Sequence, residues 1–530
     1  MTARDSFYIT TPIYYVNDKP HVGHCYTTLV ADCLARYHRA AGDPTFFLTG
    51  TDEHSERVVS TAAEHGMTPV AWADQNAAAF RAAFGSLGFT NDDFIRTSED
   101  RHKAKVEQYV KALLDKGDIY LGEYSGWWDH SQEEYVTETV AREHEFKSPI
   151  TGKPLVKRTE KNYFFKLSKY EAPLKAHYEA HPSFVLPEAR RNEVLGRLKG
   201  GLQDVPVSRA GGESDWGIRM PGDPTHVIYV WIDALFNYLS VVDTPERGKW
   251  WPARVHMIAK DILWFHAVIW PALLMALGKD LPGCVYAHSF WIREGRKMSK
   301  SLGNFIDMPT IDAYRKAYGD DAMRWYLLTA GPLGATDSDF AHAKFIETYN
   351  ADLANGLGNA ASRVTNMIQK YFDGKCPDGG GASTHAGTDW VALTMEARAK
   401  CAAAMDRCAI DEALRAGLSV SNAVDGYVNT TEPFRVAKDE SRRGELGTIL
   451  YNCAEALRIA AVLLSPALPT GANAVLDRLG QEPARPDGGF ARPVDELVRW
   501  GGLKPGTTVA KGDPIYPRAD AAADAPVAAG

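Results

Sequence analysis

The sequence predicts an α/β fold, in which a doubly wound parallel sheet is interrupted by an inserted domain and followed by an all-helical region. Three observations predict it. The first fifty residues read as strand, helix and strand, aromatic and charged residues alternate from about 119 to 224, and an almost continuous helical pattern runs from about 345 to 480. The 530 residues are enough for about three or four domains of roughly 150 residues each.

The first three elements follow from local patterns. Residues 7–11 form a β-rich run, and residues 45–49 form a second one that ends at Gly50. Between them lies a helical pattern that Gly42 ends, with apolar residues at spacings of four and three: Tyr26, Val30, Cys33 and Tyr37. Ligands of such sheets bind beyond the carboxyl ends of the strands. A binding site is therefore predicted at residues 11–24 and 50–54.

Later segments return to strands and then become helical. The inserted domain is predicted to be mixed and partly antiparallel because of turn signals at residues 149–154. Buried strands are predicted at residues 226–229, Val255–Ala259 and Cys284–His288. A Gly-x-Gly-x-x-Ala match at 356–361 lies inside the helical region with no strand before it, so we interpret it as chance. The Ala-rich residues 519–530 are predicted to be disordered.

The composition excludes several classes of protein. With 45% hydrophobic and 24% charged residues, the chain is not a disordered protein, a collagen or a small disulfide scaffold. A net charge of −8 argues against a generally basic nucleic-acid-binding protein but allows a local basic surface. Seven cysteines without a Cys-x-x-Cys pair favour a reducing compartment. The start lacks an apolar signal core and the apolar stretch 262–277 is too short to span a membrane, so we predict a cytoplasmic protein.

The motif HVGH, residues 21–24, follows the first predicted strand and begins the first predicted helix. A helix N-terminus presents free N–H groups and partial positive charge, which suit an anion. Two imidazoles three positions apart share one face of the first turn, and Gly23 permits close approach of a ligand. The pattern predicts a phosphate or nucleotide site, with a metal-binding pair or two surface histidines as the alternatives.

The motif KMSKS, residues 297–301, lies near the end of the α/β part. Two lysines three apart, with hydroxyl residues and nearby glycines, predict a mobile cationic loop that closes over a polyphosphate. Taken alone, such a loop fits a solvated surface equally well.

The two motifs, in this order, resemble the signature pair of class I aminoacyl-tRNA synthetases. The resemblance implies that an amino-acid carboxylate attacks the α-phosphate of ATP, that pyrophosphate leaves, and that the 3′-terminal adenosine of tRNA is then esterified. Such a site must supply positive charge and orientation, because the carboxylate and the triphosphate repel each other. Also implied are Mg²⁺ on the phosphates, catalytic roles for His21, His24, Lys297 and Lys300, and ATP-binding roles for Gly23, Asp261, Ser299, Ser301 and Lys300.

Longer segments resemble methionyl-tRNA synthetases: residues 10–17 (TTPIYYVN), 47–54 (FLTGTDEH), 160–165 (EKNYFF), 229–235 (YVWIDAL) and 260–266 (KDILWFH). The resemblance implies a Rossmann-like catalytic domain in two halves, 1–118 and 225–290, around a connective insert at 119–224. It also implies a KMSKS and stem-contact region at 291–345, a helical anticodon-binding domain at 346–500 and a C-terminal tail at 501–530. Residues 501–517 of this tail are expected to lie back along the other domains.

Eight positions match the methionine pocket of that family: Ile13, Tyr15, Asp52, Trp231, Leu235, Tyr238, Ile262 and His266. Aromatic walls suit the polarizable thioether, and Tyr15 or His266 could donate a hydrogen bond to its sulfur. Asp52 supplies a counter-charge for the substrate ammonium. Without the family match, the apolar members of this set would be interpreted as core residues. Homocysteine is the expected misread substrate, because a pocket separates similar side chains by only about 1–3 kcal/mol.

The insert is predicted to lack a structural zinc ion. Many relatives carry Cys-rich zinc knuckles there, but this chain has no cysteine between Cys33 and Cys284, and a Cys-ligated zinc needs closely spaced thiolates.

The helical region matches the family's anticodon contacts at Asn359, Arg363, Pro433 and Phe434. A phenylalanine at this place stacks on a splayed-out base. The implied partners are L-methionine, ATP and tRNA(Met), including the initiator tRNA. Some relatives continue into a dimerising C-terminal barrel, whereas this chain ends in a polar, Ala-rich tail, so we expect a monomer.

Two alternatives stay open at this point. A class I synthetase for leucine, isoleucine or valine would usually carry a larger inserted editing domain than the roughly one hundred residues present here. A non-catalytic tRNA-binding relative would not need His21, His24, Lys297 and Lys300, which are all intact.

Overall fold

The computed structural model describes residues 6–129, 134–136, 138–211, 216–293, 295–298, 304–520 and 525–526. Ser299, Lys300 and Ser301 of the predicted cationic loop lie outside the described residues, as does most of the stretch 519–530 that was predicted to be disordered.

The strands of the described residues are β1 (Phe7–Tyr15), β2 (Thr45–Asp52), β3 (Asp93–Arg96), β4 (Ile119–Asp129), β5 (Glu134–Val136), β6 (Val156–Phe165), β7 (Val185–Leu186), β8 (Val205–Pro206), β9 (Ser208–Ala210), β10 (Arg219–Met220), β11 (Asp223–Ile228), β12 (Val255–Ala259), β13 (Cys284–His288), β14 (Trp291–Arg293), β15 (Arg296–Lys297), β16 (Ser338–Asp339), β17 (Thr384–His385) and β18 (Thr388–Asp389).

The α-helices are α1 (Val22–Ala41), α2 (Glu56–Glu64), α3 (Pro69–Ser86), α4 (Asp100–Asp115), α5 (Glu138–Glu143), α6 (Glu171–Ala180), α7 (Glu188–Leu198), α8 (Val230–Leu235), α9 (Asn237–Ser240), α10 (Trp270–Leu277), α11 (Met308–Tyr318), α12 (Asp320–Ala330), α13 (His342–Thr348), α14 (Asn359–Phe372), α15 (Trp390–Met405), α16 (Ile410–Thr431), α17 (Pro433–Val436), α18 (Arg443–Leu464), α19 (Pro469–Arg478) and α20 (Val494–Leu497). Phe265–Ile269 and Tyr349–Gly358 are π-helical.

A six-stranded sheet in the order β3-β2-β1-β12-β13-β7, with every pair parallel, confirms the predicted doubly wound parallel sheet. From β1 the chain fills one side with β2 and β3, and it later returns to fill the other side with β12 and β13. The order therefore reverses between β1 and β12, and crevices at such reversals are where α/β sheets bind ligands.

Strands β1 and β2 both run further than predicted. Pro12, which has no N–H to donate, suggests an end near residue 11. In the structure the pairing shifts between Thr10 and Ile13 and then continues until Tyr15 lies beside Asp52. The extension places both of these side chains at the carboxyl end of the sheet.

Helix α1 begins and ends where the sequence indicates. The His21 side chain caps its N-terminus by accepting a hydrogen bond from the backbone N–H of Gly23. Gly42 ends the helix with a φ of 84°, a left-handed conformation that glycine adopts without the steric cost of a Cβ atom.

The strand predicted at residues 226–229 belongs to a different sheet from the one expected. Asp223–Ile228 is the central strand of a three-stranded antiparallel sheet, between β9 and β10, and its first half is exposed to solvent rather than enclosed by helices. The sixth strand of the parallel sheet is instead Val185–Leu186, from within the range predicted for the insert. The insert also contains the antiparallel pair β4 and β6, in a sheet of order β5-β4-β6-β8.

The C-terminal region is helical, as predicted. The Gly-x-Gly-x-x-Ala match begins in the π-helical segment and continues into α14, so no strand precedes it. Among the described helices, Glu440–Leu464 has the length and hydropathy of a membrane span, but 94% of its apolar window is buried in the helical core.

The segment after α20 lies back along the other regions, as expected. The Tyr516 hydroxyl donates to Asp321 in α12 at 2.8 Å, and the Tyr349 hydroxyl donates to the carbonyl of Pro517 at 2.7 Å. Tyr516 and Pro517 are thereby held against α12 and the π-helical segment Tyr349–Gly358.

Candidate active site

A cavity of about 280 Å³ opens where the strand order reverses, beyond the carboxyl ends of β1, β2, β12 and β13. It is lined by all eight predicted methionine-pocket residues, by His21 and His24, and by Gly23 and Asp261. Residues predicted from segments far apart in the sequence therefore line one cavity.

Hydrogen bonds to the backbone determine which nitrogen of His21 and His24 carries a proton. The Nδ1 atom of His21 accepts from the N–H of Gly23 at 3.0 Å, and the Nδ1 atom of His24 accepts from the N–H of His21 at 3.3 Å. Each neutral imidazole must then carry its hydrogen on Nε2. Burial and the neighbouring His21 lower the pKa of His24 well below its usual value. His24 is thus a neutral donor rather than a cation.

The first lysine of the predicted loop lies beside the cavity. The Nζ atom of Lys297 is 5.8 Å from the centre of the Phe290 ring, which lines the cavity, and Lys260 approaches the same ring at 4.9 Å. The structure thereby brings the imidazoles from the start of α1 and one cation of the KMSKS motif to the same cavity.

The predicted methionine-pocket residues form an aromatic wall around a buried carboxylate. The rings of Trp231 and Tyr15 meet edge to face at 6.1 Å, and Trp231 stacks on Phe265 at 3.8 Å. The Asp52 side chain is buried at the end of β2. An unbranched apolar side chain fits against such rings, while a carboxylate suits an ammonium group.

Tyr238 and His266 form a second hydrogen-bonded pair at this wall. The Nδ1 atom of His266 lies 2.9 Å from the carbonyl oxygen of Ile262, which only accepts, so Nδ1 carries the hydrogen. The Nε2 atom then accepts from the Tyr238 hydroxyl at 2.7 Å. Burial lowers the pKa of His266 to about 4, so the ring is neutral near pH 7. Both ring nitrogens of His266 are therefore engaged within the protein.

Several residues that line the cavity were not predicted from the sequence. Ala234, His288, Ser289, Phe290 and Trp291 also line the cavity. Four of them lie at or directly after the carboxyl end of β13, a strand that was predicted, so the rule that ligands bind at strand ends could have found them.

The predicted anticodon residues lie on two helices of the helical region, α14 and α17. Asn359 and Arg363 of α14 both donate to the carboxylate of Asp425 in α16, and Arg363 also donates to Asn429 at 2.9 Å. The Phe434 side chain is 44% exposed in α17, which directly follows α16. An aromatic ring that is open to solvent can stack on an unpaired base.

The part of the chain that the structure describes holds no group of three or more His, Cys, Asp or Glu side chains placed to bind a metal ion. The lack of a structural zinc ion stays a prediction.

Comparison with known proteins agrees with this geometry. The family model "tRNA synthetases class I (M)" matches residues 7–143 and 141–365. The chain is 43% identical to the methionine–tRNA ligase of Streptomyces coelicolor, over 97% of this chain and 96% of that protein. It is 41% identical to the methionine–tRNA ligase of Bacillus subtilis, over 98% of this chain and 78% of that protein.

Solved structures give the same result. The Mycobacterium tuberculosis methionyl-tRNA synthetase in complex with methionyl-adenylate is 36% identical and superimposes with a TM-score of 0.89, covering 97% of this chain and all of that one. The fold, the family model and the full-length relatives together show that the chain belongs to the class I methionyl-tRNA synthetase family.

Proposed function

We propose that the protein is an ATP-dependent methionine–tRNA ligase. It activates L-methionine with ATP to methionyl-adenylate and pyrophosphate, and then transfers methionine to the 3′ end of tRNA(Met). The observation that carries this proposal is one cavity lined by the two motif histidines, a buried carboxylate and several aromatic side chains. Activation of methionine needs both groups: donors for the phosphates of ATP, and a pocket for the amino acid.

Hydrogen-bond donors and cations are proposed to stabilise the activation step. The methionine carboxylate and the α-phosphate of ATP are both anionic, so their approach must be stabilised electrostatically. The N-terminus of α1 and the Nε2–H groups of His21 and His24 supply fixed donors. Lys297 and Lys300 supply positive charge as pyrophosphate leaves, while Gly23, Asp261, Ser299 and Ser301 complete the proposed ATP site.

The remaining residues of the cavity are proposed to bind methionine. Asp52 faces the ammonium group, and Ile13, Tyr15, Trp231, Leu235, Tyr238, Ile262 and His266 surround the thioether. The neutral Tyr238–His266 pair presents no charge to the apolar side chain. Leucine differs mainly in shape, so its exclusion is expected to be modest, on the order of 1–3 kcal/mol.

Mg²⁺ is proposed as the ion that accompanies ATP. Bound to the triphosphate, it would neutralise negative charge on the phosphates. The proposed tRNA partners include the initiator tRNA, with Asn359, Arg363, Pro433 and Phe434 as anticodon contacts. We also propose that the enzyme is a cytoplasmic monomer.

Pyrophosphate exchange tests the amino acid. With purified protein, ATP and labelled pyrophosphate, we expect label to enter ATP when methionine is added, and far less when leucine, isoleucine or valine is added at the same concentration. Exchange driven by one of those three and not by methionine would contradict the proposed specificity. No exchange with any amino acid would instead favour a non-catalytic tRNA-binding relative.

Replacement of Arg363 or Phe434 by alanine should separate the two halves of the reaction. We expect kcat/KM for charging tRNA(Met) to fall by about 5- to 150-fold, because base stacking contributes about 1–3 kcal/mol and the guanidinium contact is expected to be similar. Methionine-dependent exchange should stay within twofold of the wild type, since neither residue lines the cavity.

Arg407→Ala and Met395→Ala are matched controls. They remove an exposed guanidinium and an exposed apolar side chain elsewhere in the same helical region. If exchange falls as much as charging in the Arg363 or Phe434 variant, or if the controls lose as much charging, the anticodon assignment is wrong.

A further inference from the structure

Three buried side chains form a hydrogen-bonded chain behind the cavity. The carboxylate of Asp233 accepts from His54 Nδ1 at 2.7 Å on one oxygen and from His102 Nε2 at 2.7 Å on the other. His54 is 6% exposed, His102 0% and Asp233 1%, and none of the three lines the cavity. The proposed reaction steps do not use these titratable groups.

The chain joins the two sides of the proposed methionine site. His54 follows the end of β2, which carries Asp52. Asp233 lies in α8 between Trp231 and Leu235, which together with Tyr238 form the apolar wall of the cavity. The substrate ammonium and the substrate side chain would thus be held by elements that meet at one carboxylate.

His102, in α4, contacts the wall at a second point. Its Nδ1 atom lies 2.9 Å from the hydroxyl of Ser240, and that hydroxyl also lies within hydrogen-bond distance, 3.2 Å, of the carbonyl of Asn237. Ser240 and Asn237 flank Tyr238 in α9. One imidazole therefore fixes α8 and α9 from behind, and these two helices carry Trp231, Leu235 and Tyr238.

The carboxylate at the centre is ionised. Burial alone would raise the pKa of Asp233, but the adjacent imidazoles of His54 and His102 lower it to about 2. Hydrogen bonds to a charged acceptor are shorter and stronger than those between neutral groups, so the three elements are held at well-defined distances.

We propose that His102, Asp233 and His54 are positioning residues that set the distance between Asp52 and the apolar wall, and thereby the fit of methionine. The inference rests on the proposed function. A misplacement of about 1 Å in a bound substrate is enough to cost on the order of 10²-fold in rate, so residues that never touch methionine govern its use.

The test is Asp233→Asn, assayed by pyrophosphate exchange with methionine and ATP varied in turn. The amide loses the charge and offers only one acceptor oxygen to two imidazoles. We expect the KM for methionine to rise about tenfold or more, while the KM for ATP stays within twofold. A purely structural role would instead raise both KM values together, with a loss of active protein.

Two further variants make the result specific. In His102→Gln the amide nitrogen still reaches Asp233 as a donor, so the KM for methionine should be closer to the wild type than in His102→Ala. Asp243→Asn is the matched control, because it removes a half-buried carboxylate held by Tyr109, Lys279 and Lys105 that does not line the cavity. Circular dichroism and thermal unfolding of each variant show whether it is folded.

An unchanged KM for methionine in folded Asp233→Asn overturns the proposal, as does an equal effect of the control. Should Asp233→Asn fail to fold, the comparison of His102→Gln with His102→Ala decides, and equal KM values then overturn it. If the wild type exchanges pyrophosphate with another amino acid, the proposed function fails, and a rise in the KM for that amino acid alone still supports the positioning role.

Discussion

His24→Ala is expected to lower the kcat of methionine-dependent pyrophosphate exchange by about 10²- to 10³-fold. The removal of one preorganised donor from a site of developing negative charge typically costs about 3–4 kcal/mol. His24 is such a donor, because the backbone N–H of His21 occupies its Nδ1 atom and leaves Nε2–H for the phosphates. The KM for methionine should change by less than about threefold, since the donor acts in the transition state.

Two amide variants check that the hydrogen on Nε2 matters. The nitrogen of glutamine reaches the place of Nε2, whereas that of asparagine reaches only the place of Nδ1. His24→Gln should therefore recover part of the lost kcat, and His24→Asn should not. Equal activity in the two variants would show that the proton position assigned to His24 is wrong.

Asp52→Asn is expected to have a comparable effect on methionine itself. Loss of one partner from a buried charge pair costs about 2–5 kcal/mol, which corresponds to roughly 30-fold or more in kcat/KM for methionine. The reason is that Asp52 is buried at the end of β2, where water cannot replace the lost charge. The KM for ATP should stay within about threefold.

A substrate analogue without the amino group isolates this charge. The compound 4-(methylthio)butanoate keeps the thioether and the carboxylate but has no ammonium for Asp52 to pair with. As an inhibitor it should therefore bind the wild type and Asp52→Asn about equally. If the variant weakens the analogue as much as methionine, Asp52 shapes the pocket and does not act as a counter-charge.

Local patterns were sufficient for most of the fold. The first helix was read from apolar spacing and from Gly42, and the parallel sheet from a strand, a helix and a strand in succession. The extension of β1 past Pro12 was missed, because it depends on pairing with residues of β2 that lie 37 positions later in the sequence. Val185–Leu186 was missed because two residues carry no recognisable periodicity.

The candidate site shows a similar division. The residues that line it came from two short motifs and from family resemblance, which identify residues by position. Their protonation did not follow from the motifs, since the hydrogen on His24 depends on one backbone N–H and that on His266 on the carbonyl of Ile262. The chain of His54, His102 and Asp233 was invisible in the sequence, because its members are far apart and only the fold brings them together.

His21 is at once the N-cap of a twenty-residue helix and a proposed participant in chemistry. Serine, threonine, aspartate and asparagine are the stronger capping residues, with substitutions of a cap worth about 0.5–2 kcal/mol. A selection for heat tolerance alone would thus favour exchanging this imidazole, and catalysis would resist it. A substitution at position 21 that raises thermal stability is therefore expected to lower activity. His21 should be kept when the enzyme is engineered for thermostability.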